Sequence, residues 1–230
     1  MHRSSLLRME WFIQNYLSEH KDPIKVLDVG SYDVNGSYKQ FFDEQRFIYT
    51  GLDMVEGPNV DIVPKHIYRW VEIESGSFDV AISGQTLEHV EFFWITAAEM
   101  VRVLRNKGLL CIIVPKGFER HRHPVDCYRF DADGMVALAR FCNLIPLHAS
   151  TDMAPEGAIS EWCIKDNEDT MLIAQKPEDW SGLLNIDEYV FQETDMEALA
   201  TGFVSNRTPP RRGFQTRLID SIVKRLNRLR

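Results

Sequence analysis

The chain has 230 residues, 44% of them hydrophobic and 26% charged, which is ordinary for a globular α/β domain with an appendage. The longest apolar stretch, Leu109 to Val114, is strand-length and far short of a bilayer span, and Met1 to Arg8 lacks the apolar core of a secretory signal. The net charge of −8 is unevenly spread: residues 211–230 hold seven Lys or Arg against Asp220 alone, a net of +6 that leaves −14 on the rest. A body that acidic repels nucleic acid over most of its surface, so a small-molecule partner is expected.

Residues 4–20 predict an amphipathic helix, with Leu6, Leu7, Met9, Phe12, Ile13, Tyr16 and Leu17 near one face, closed by Asp22-Pro23. Short apolar runs then alternate with helical patterns. Strands are predicted at Lys25–Val29, Tyr49–Asp53, Asp61–Val63, Phe78–Ser83, Leu109–Pro115, Leu144–Ser150 and Thr170–Gln175. Helices are predicted at Tyr38–Glu44, Thr86–Leu104 and Asp133–Phe141. This alternation implies a seven-stranded, mostly parallel sheet with helices on both faces, whose ligand site lies beyond the carboxyl ends of the strands. The pattern stops near Pro177, which places a first domain at 1–177 and an extension at 178–230. The extension carries the linker signal Thr208-Pro209-Pro210 and a basic amphipathic helix from Thr216. That helix suits docking on its own domain or a partner, with peripheral membrane contact as the alternative.

Four cysteines, Cys111, Cys127, Cys142 and Cys163, are widely spaced with no CxxC pair. No metal site is therefore expected, and reduced thiols in a cytoplasmic protein are the reading.

Two motifs carry the chemistry. VLDVGSYDVNG, residues 26–36, is a buried strand running into a turn at Gly30, with Asn35-Gly36 as a second turn tolerant of positive φ. An ordinary strand–turn–helix corner would use similar residues. The second motif, Tyr49-Thr50-Gly51-Leu52-Asp53, ends a strand in a carboxylate 23 residues after Gly30, where it can accept hydrogen bonds from both hydroxyls of an adenosine ribose. Together they describe an adenosine site without naming the reaction.

The blocks VLDVG (26–30), GLDM (51–54), FDVAISGQTLEHV (78–90) and VRVLRNKGLLCIIVP (101–115), in that order, resemble class I S-adenosylmethionine-dependent methyltransferases of the type 11-like bacterial group, whose relatives also share HPVDCYRF (123–130). The resemblance spans roughly residues 25–176. It implies a three-layer Rossmann-like fold with S-adenosyl-L-methionine as cofactor. It further implies that Asp28, Gly30, Ser31, Tyr32 and Gly36 border the methionine part, that Asp53 holds the ribose and that Met54 lies beside the adenine. Ser83, Gly84 and Gln85 would face the sulfonium and the acceptor. The sequence departs from the family in two places. Tyr32 and Val34 interrupt the glycine-rich loop, and Lys65 and His66 stand where an acidic residue often binds the adenine amine, so backbone groups would have to serve there.

Methyl transfer from a sulfonium is an in-line displacement that relies on positioning and exclusion of water, and an oxygen or nitrogen acceptor must also lose a proton. His89 and His123 are the candidate bases, with His121 nearby and Asp126 placed to orient an imidazole. His89 reads equally well as a residue tying its helix to a loop, and His123-Pro124 as a loop-fixing pair. Arg122 and Arg129 read as ion-pair partners or as anion ligands, and Phe92 as core. The acceptor expected from the resemblance is a small molecule, with a sugar or glycan precursor preferred. The alternative is a non-catalytic module binding S-adenosylmethionine or S-adenosylhomocysteine. A short-chain dehydrogenase is disfavoured because no Tyr-x-x-x-Lys pair follows the fourth predicted strand.

Overall fold

In a computed structural model, residues 3–18, 23–117, 119–151 and 168–184 are described. The basic helix expected from Thr216 lies outside them. Six strands form one sheet: β1 Ile24–Val29, β2 Phe47–Leu52, β3 Phe78–Gly84, β4 Leu104–Gly117, β5 Ile145–Thr151 and β6 Glu168–Gln175. Their spatial order is β2-β1-β3-β4-β6-β5, with β2, β1, β3 and β4 parallel and β6 antiparallel to both neighbours.

The third of the seven expected strands, at Asp61–Val63, is reduced to a single bridge, Leu52 to Ile62. Pro58 and Pro64 bracket the segment and deny it ladder donors. Asp61 turns its carboxylate back onto the Gly51 N–H at 2.7 Å instead of continuing the pairing.

The strands read as near-continuous apolar runs because both faces of the sheet are covered. Side chains alternate between two cores. Leu27, Val29, Ala81, Leu110, Ile112 and Val114 face one side, where α2 (Phe93–Val103) and α3 (Ala132–Phe141) supply Ala97, Met100, Val101, Met135 and Leu138. Val26, Val80, Ile82, Cys111 and Ile113 face the other, where α1 (Arg3–Phe12) and the π-helical turn Ile13–Leu17 supply Met9, Phe12, Ile13 and Leu17. This is the period-two pattern of a buried sheet in a three-layer fold.

Two predicted helices are shorter than their sequence patterns. Tyr38–Phe41 is a 3-10 turn, capped by the Ser37 hydroxyl on the Lys39 N–H. The helix expected from Thr86 is divided into a 3-10 turn, Leu87–His89, and α2, which begins only at Phe93. The division has a local cause. The Glu88 carbonyl accepts the N–H groups of Cys127 and Tyr128 from another loop, so it does not continue a helical ladder. Phe92 consequently sits before α2 rather than on its inner face and is 45% exposed, which corrects its assignment to the core. Phe93 is the residue that packs inward, edge-on to Tyr128 and Phe130.

Residues 178–184, which the sequence pattern places in the extension, are stitched to this domain. The Trp180 indole N–H donates to the Cys142 carbonyl at 2.9 Å and the Leu184 N–H to the Phe141 carbonyl at 2.9 Å. The buried Lys176 ammonium donates to the carbonyls of Val101 and Leu104 at the end of α2 and lies 4.3 Å from the centre of the Trp180 ring. Among the described residues no helix is long and apolar enough to cross a membrane.

Candidate active site

Strand order reverses between β1 and β3, and the carboxyl ends of β1, β2 and β3 open there together, with Val29 beside Leu52 on one flank and Ser83 on the other. Gly30 leaves β1 with φ of +82°, and its N–H donates to the Leu52 carbonyl at 2.8 Å. A Cβ at this position would stand 2.1 Å from the Thr86 hydroxyl, so Gly30 serves both the turn and a close approach of two loops. Gly36 supplies a second positive φ, +121°, with its N–H held by the Asp33 carboxylate.

The half-buried Asp53 begins the segment after β2, and one of its oxygens accepts the Tyr32 N–H at 3.1 Å. The loop that follows the bend at Gly30 is therefore bonded to the Asp53 carboxylate through Tyr32, while Gly30 itself is bonded to Leu52. Met54 is exposed beside it, and Gly57 lies flat against the Tyr32 ring, where a Cβ would stand 2.0 Å from Cε2. Lys65 and His66 occupy an exposed turn beyond Pro64, with the Lys65 N–H directed to Glu72.

Below this rim is a buried polar layer. Tyr49 donates from its hydroxyl to Asp28 at 2.6 Å. Asn59, itself at φ of +70°, donates to the Tyr49 hydroxyl, the Ser37 hydroxyl and the Ser31 carbonyl. Burial pushes the Asp28 carboxyl up to about 7, against the lowering effect of the Tyr49 hydrogen bond, and the Asp53 carboxylate adds to the rise. The buried Ser31 hydroxyl has no hydrogen-bond partner among the described residues.

On the other flank, Ser83 is buried and donates to the Val29 carbonyl, so its hydroxyl braces β3 against β1. Gly84 packs against Tyr38, whose hydroxyl would stand 2.0 Å from a Cβ there. Gln85 adopts φ of +56° and donates from its side-chain amide to the buried Asp169 at 2.9 Å. Asp169 also accepts from the Ser4 hydroxyl, which ties α1 to the floor of the site.

Beyond Gln85 the chemistry changes character. His89 contacts the Val125 carbonyl through Nδ1 at 2.5 Å, and its ring stands edge-on to those of His121 (4.8 Å between centroids) and His123 (5.8 Å). Burial lowers the affinity of His89 for a proton. Asp126 accepts the His121 N–H at 2.8 Å and forms a two-bonded pair with Arg129 at 2.5 and 2.9 Å. Those Arg129 hydrogen bonds hold the Asp126 carboxyl well below the usual range. Arg129 is thus an ion-pair partner, while Arg122 and His123 are exposed.

Glu88 is wholly buried, and among the described residues no other residue donates a hydrogen bond to either of its carboxyl oxygens. Burial pushes it up to about 8, its own backbone N–H and then Arg129 offsetting part, and Asp169 and Asp126 adding to the rise. Asn59, Asp169 and Glu88 are the residues that spacing did not single out. The positive φ of Asn59, the side-chain pairings of Asp169 and the burial of Glu88 are tertiary facts.

Comparison with known proteins agrees with this geometry. Residues 27–112 match the family model described as "Methyltransferase domain". Searching curated proteins returns no match. Among solved structures, the chain is similar to the Burkholderia thailandensis 1,6-didemethyltoxoflavin-N1-methyltransferase, which holds 1,6-didemethyltoxoflavin and S-adenosylhomocysteine. The identity is 20%, covering 76% of this chain and 80% of that one, with a TM-score of 0.53. A SAM-dependent methyltransferase from Aquifex aeolicus gives 15% identity, 75% and 92% coverage and 0.51. The [4+2]-cyclase SpnF gives 14%, 75% and 80%, and 0.54. At these identities the likeness is one of fold.

Proposed function

We propose that this chain, which has the class I methyltransferase fold and a methyltransferase domain matched over residues 27–112, binds S-adenosyl-L-methionine and methylates a small molecule. The observation that carries the reading is the bond from the Tyr32 N–H, two residues past the Gly30 turn, to the Asp53 carboxylate at the switch point, reinforced by the buried Ser31 hydroxyl, which finds no partner among the described residues. An adenosine ribose fits Asp53, one of whose oxygens is already oriented by the Tyr32 N–H. Asp28, Ser31 and Gly36 line the place for the amino-acid part, and a cationic ammonium there would favour the ionised form of Asp28. Met54 offers an apolar face to the adenine. Lys65 and His66 flank the same region and leave the adenine amine to backbone carbonyls.

S-adenosylmethionine supplies an electrophilic methyl group on a sulfonium; this chain supplies position and proton acceptance. Ser83 and Gly84 are packed and bonded from behind, so they act as a rigid wall. Gln85 is held by Asp169, leaving its carbonyl oxygen to orient the acceptor. In this reading His123, exposed at the mouth, takes the acceptor's proton, and His89, anchored on Val125, keeps the loop and the imidazoles in register. A nucleophilic oxygen or nitrogen on a compact acceptor is what such a site serves. The sugar expected from the sequence finds no support in the site or in the neighbours, one of which holds a heterocycle.

The fold is also that of a [4+2]-cyclase, so binding and transfer need separate readouts. Calorimetry with S-adenosylhomocysteine should show one site per chain. Asp53→Ala should weaken it about a hundredfold, the loss of roughly 3 kcal/mol in hydrogen bonds to a charged group. Incubation with radiolabelled S-adenosylmethionine and a panel of small nucleophiles tests transfer. A wild-type chain that is folded but binds no S-adenosylhomocysteine would sink the proposal.

A further inference from the structure

The loop after β4 and the turn after β3 bring together Glu88, His89 and His121, one ligating atom of each lying within 4.8 Å of the others. We infer that these three side chains form a binding site for a single divalent zinc-class cation, with a coordination position left for a heteroatom of the acceptor. The role assigned to that open position rests on the methyl-transfer reading; the metal site itself does not.

The argument begins with proton positions. The Val125 carbonyl can only accept, so the 2.5 Å contact with His89 Nδ1 places the proton on Nδ1 and the lone pair on Nε2. That lone pair points to Glu88 Oε1 at 3.6 Å, which is too long for a hydrogen bond. Among the described residues no other residue donates to the second oxygen of Glu88 either, although the side chain is fully buried. A buried carboxyl poor in donors is costly, and at 3.6 Å even its protonated form does not reach the facing imidazole nitrogen in a hydrogen bond. A cation resolves both deficits at once.

The surroundings are those of a ligand set. Imidazole ligands to zinc commonly donate their other N–H to a carbonyl or carboxylate, which fixes the ring and its tautomer. His89 does this with Val125, and His121 turns its Nδ1 to the Glu119 carbonyl at 3.0 Å, with Asp126 Oδ2 at 3.9 Å. Asp126 is already committed to Arg129, so it serves as a brace rather than a ligand. Two histidines and one carboxylate with a fourth position open is a set that suits catalytic zinc. Tetrahedral ligand atoms about 2.1 Å from zinc stand about 3.4 Å apart. The Glu88–His89 separation is already close to that, and His121, on a loop, supplies the remaining ångström or so. The site adjoins Gln85, so a zinc-bound acceptor hydroxyl or amine would lose its proton more readily before attack, with His123 close by to receive it.

The experiment uses the full chain, stripped with a chelator and titrated with Zn2+ by calorimetry and with Co2+ by visible d–d absorption. S-adenosylhomocysteine affinity is measured on the same samples. One equivalent of Zn2+ and a tetrahedral Co2+ spectrum are expected. His121→Gln, a half-buried loop substitution that leaves the core untouched, should weaken Zn2+ at least tenfold with S-adenosylhomocysteine affinity unchanged, and Glu88→Gln should do the same if it folds. Stoichiometric Zn2+ uptake by a chain that ignores S-adenosylhomocysteine would uphold the metal site while removing the methyl-transfer reading. A folded, S-adenosylhomocysteine-binding wild-type chain that takes up no equivalent of either metal overturns the inference, and so does uptake that His121→Gln leaves unchanged.

Discussion

The two flanks of the crevice each bury a carboxylic acid, and they treat it in opposite ways. On the β1–β2 flank, Asp28 accepts from Tyr49, which is held in turn by Asn59, and the rim above is built from backbone groups of Gly30, Tyr32 and Leu52. On the β3–β4 flank, Glu88 lies beside His89 and His121, and among the described residues no other residue donates a hydrogen bond to its oxygens. The first flank is nearly complete as it stands, short of partners for the Ser31 hydroxyl and the Asn59 side-chain carbonyl oxygen among the described residues, and its rim is set by main chain. The second is side-chain-built and still short of a partner. Completed, backbone-made sites suit a ligand of constant form, whereas an unsatisfied cluster marks the place where something else must enter.

The comparison is most severely tested at Gly30. Gly30→Val combines a positive φ with a collision against Thr86, so a loss of roughly 5 kcal/mol and of all S-adenosylhomocysteine binding is expected. Urea unfolding and calorimetry read both, and a variant with near-normal stability would show that the donor flank is not set by backbone.

Asp28 gives the next largest effect, as a pH dependence. Its folded-state carboxyl is raised to about 7 from an ordinary value near 4, so its contribution to stability is fully present below about pH 4 and is lost as pH rises towards 7. The span amounts to roughly 4 kcal/mol. Asp28→Asn should flatten that part of the curve, so the variant gains on the wild type between pH 4 and pH 8 in thermal melts. Parallel curves for the two proteins would mean that Asp28 is better solvated than its burial implies.

Arg129→Gln probes the other flank. It leaves the buried Asp126 carboxylate without its charged partner, and because Arg129 is partly exposed the cost should be about 2 kcal/mol. Loosening the 119–129 loop should raise the KM for acceptor and leave S-adenosylhomocysteine affinity alone. Equal damage to both would show that the flanks are mechanically one unit.

The smallest effect belongs to Tyr49→Phe, which removes the hydroxyl between Asn59 and Asp28. About 1 kcal/mol of stability should be lost, and the Asp28 carboxyl should rise further. An Asp28 titration followed by NMR that stays in place would count against the layer as described.

How much of this was legible in the sequence follows the same division. Apolar runs such as VLDV and LLCIIVP announce strands buried on both faces, and Gly30 announces a tight turn, because those signals are local in the chain. The expected third strand failed because two prolines and the Asp61 side chain compete for its hydrogen bonds. The long helix from Thr86 failed because Glu88 lends its carbonyl to residues some forty positions away. Phe92 was misplaced for the same reason, its face being decided by where α2 begins. The grouping of Glu88 with His121 is likewise invisible to spacing, since cysteine pairs were the metal signal sought and this set spans two loops. Tertiary pairing writes no periodicity into the chain.

One consequence concerns where the chain could be shortened. The lysine at 176 reaches under the sheet to close the far end of α2, while the indole at 180 and the amide at 184 fasten the strand's continuation to α3. A cut at Pro177, where the strand pattern stops, would discard two of these three fasteners and strip the aromatic cover from a buried ammonium. A trimmed variant meant to keep its fold should retain every residue through Leu184.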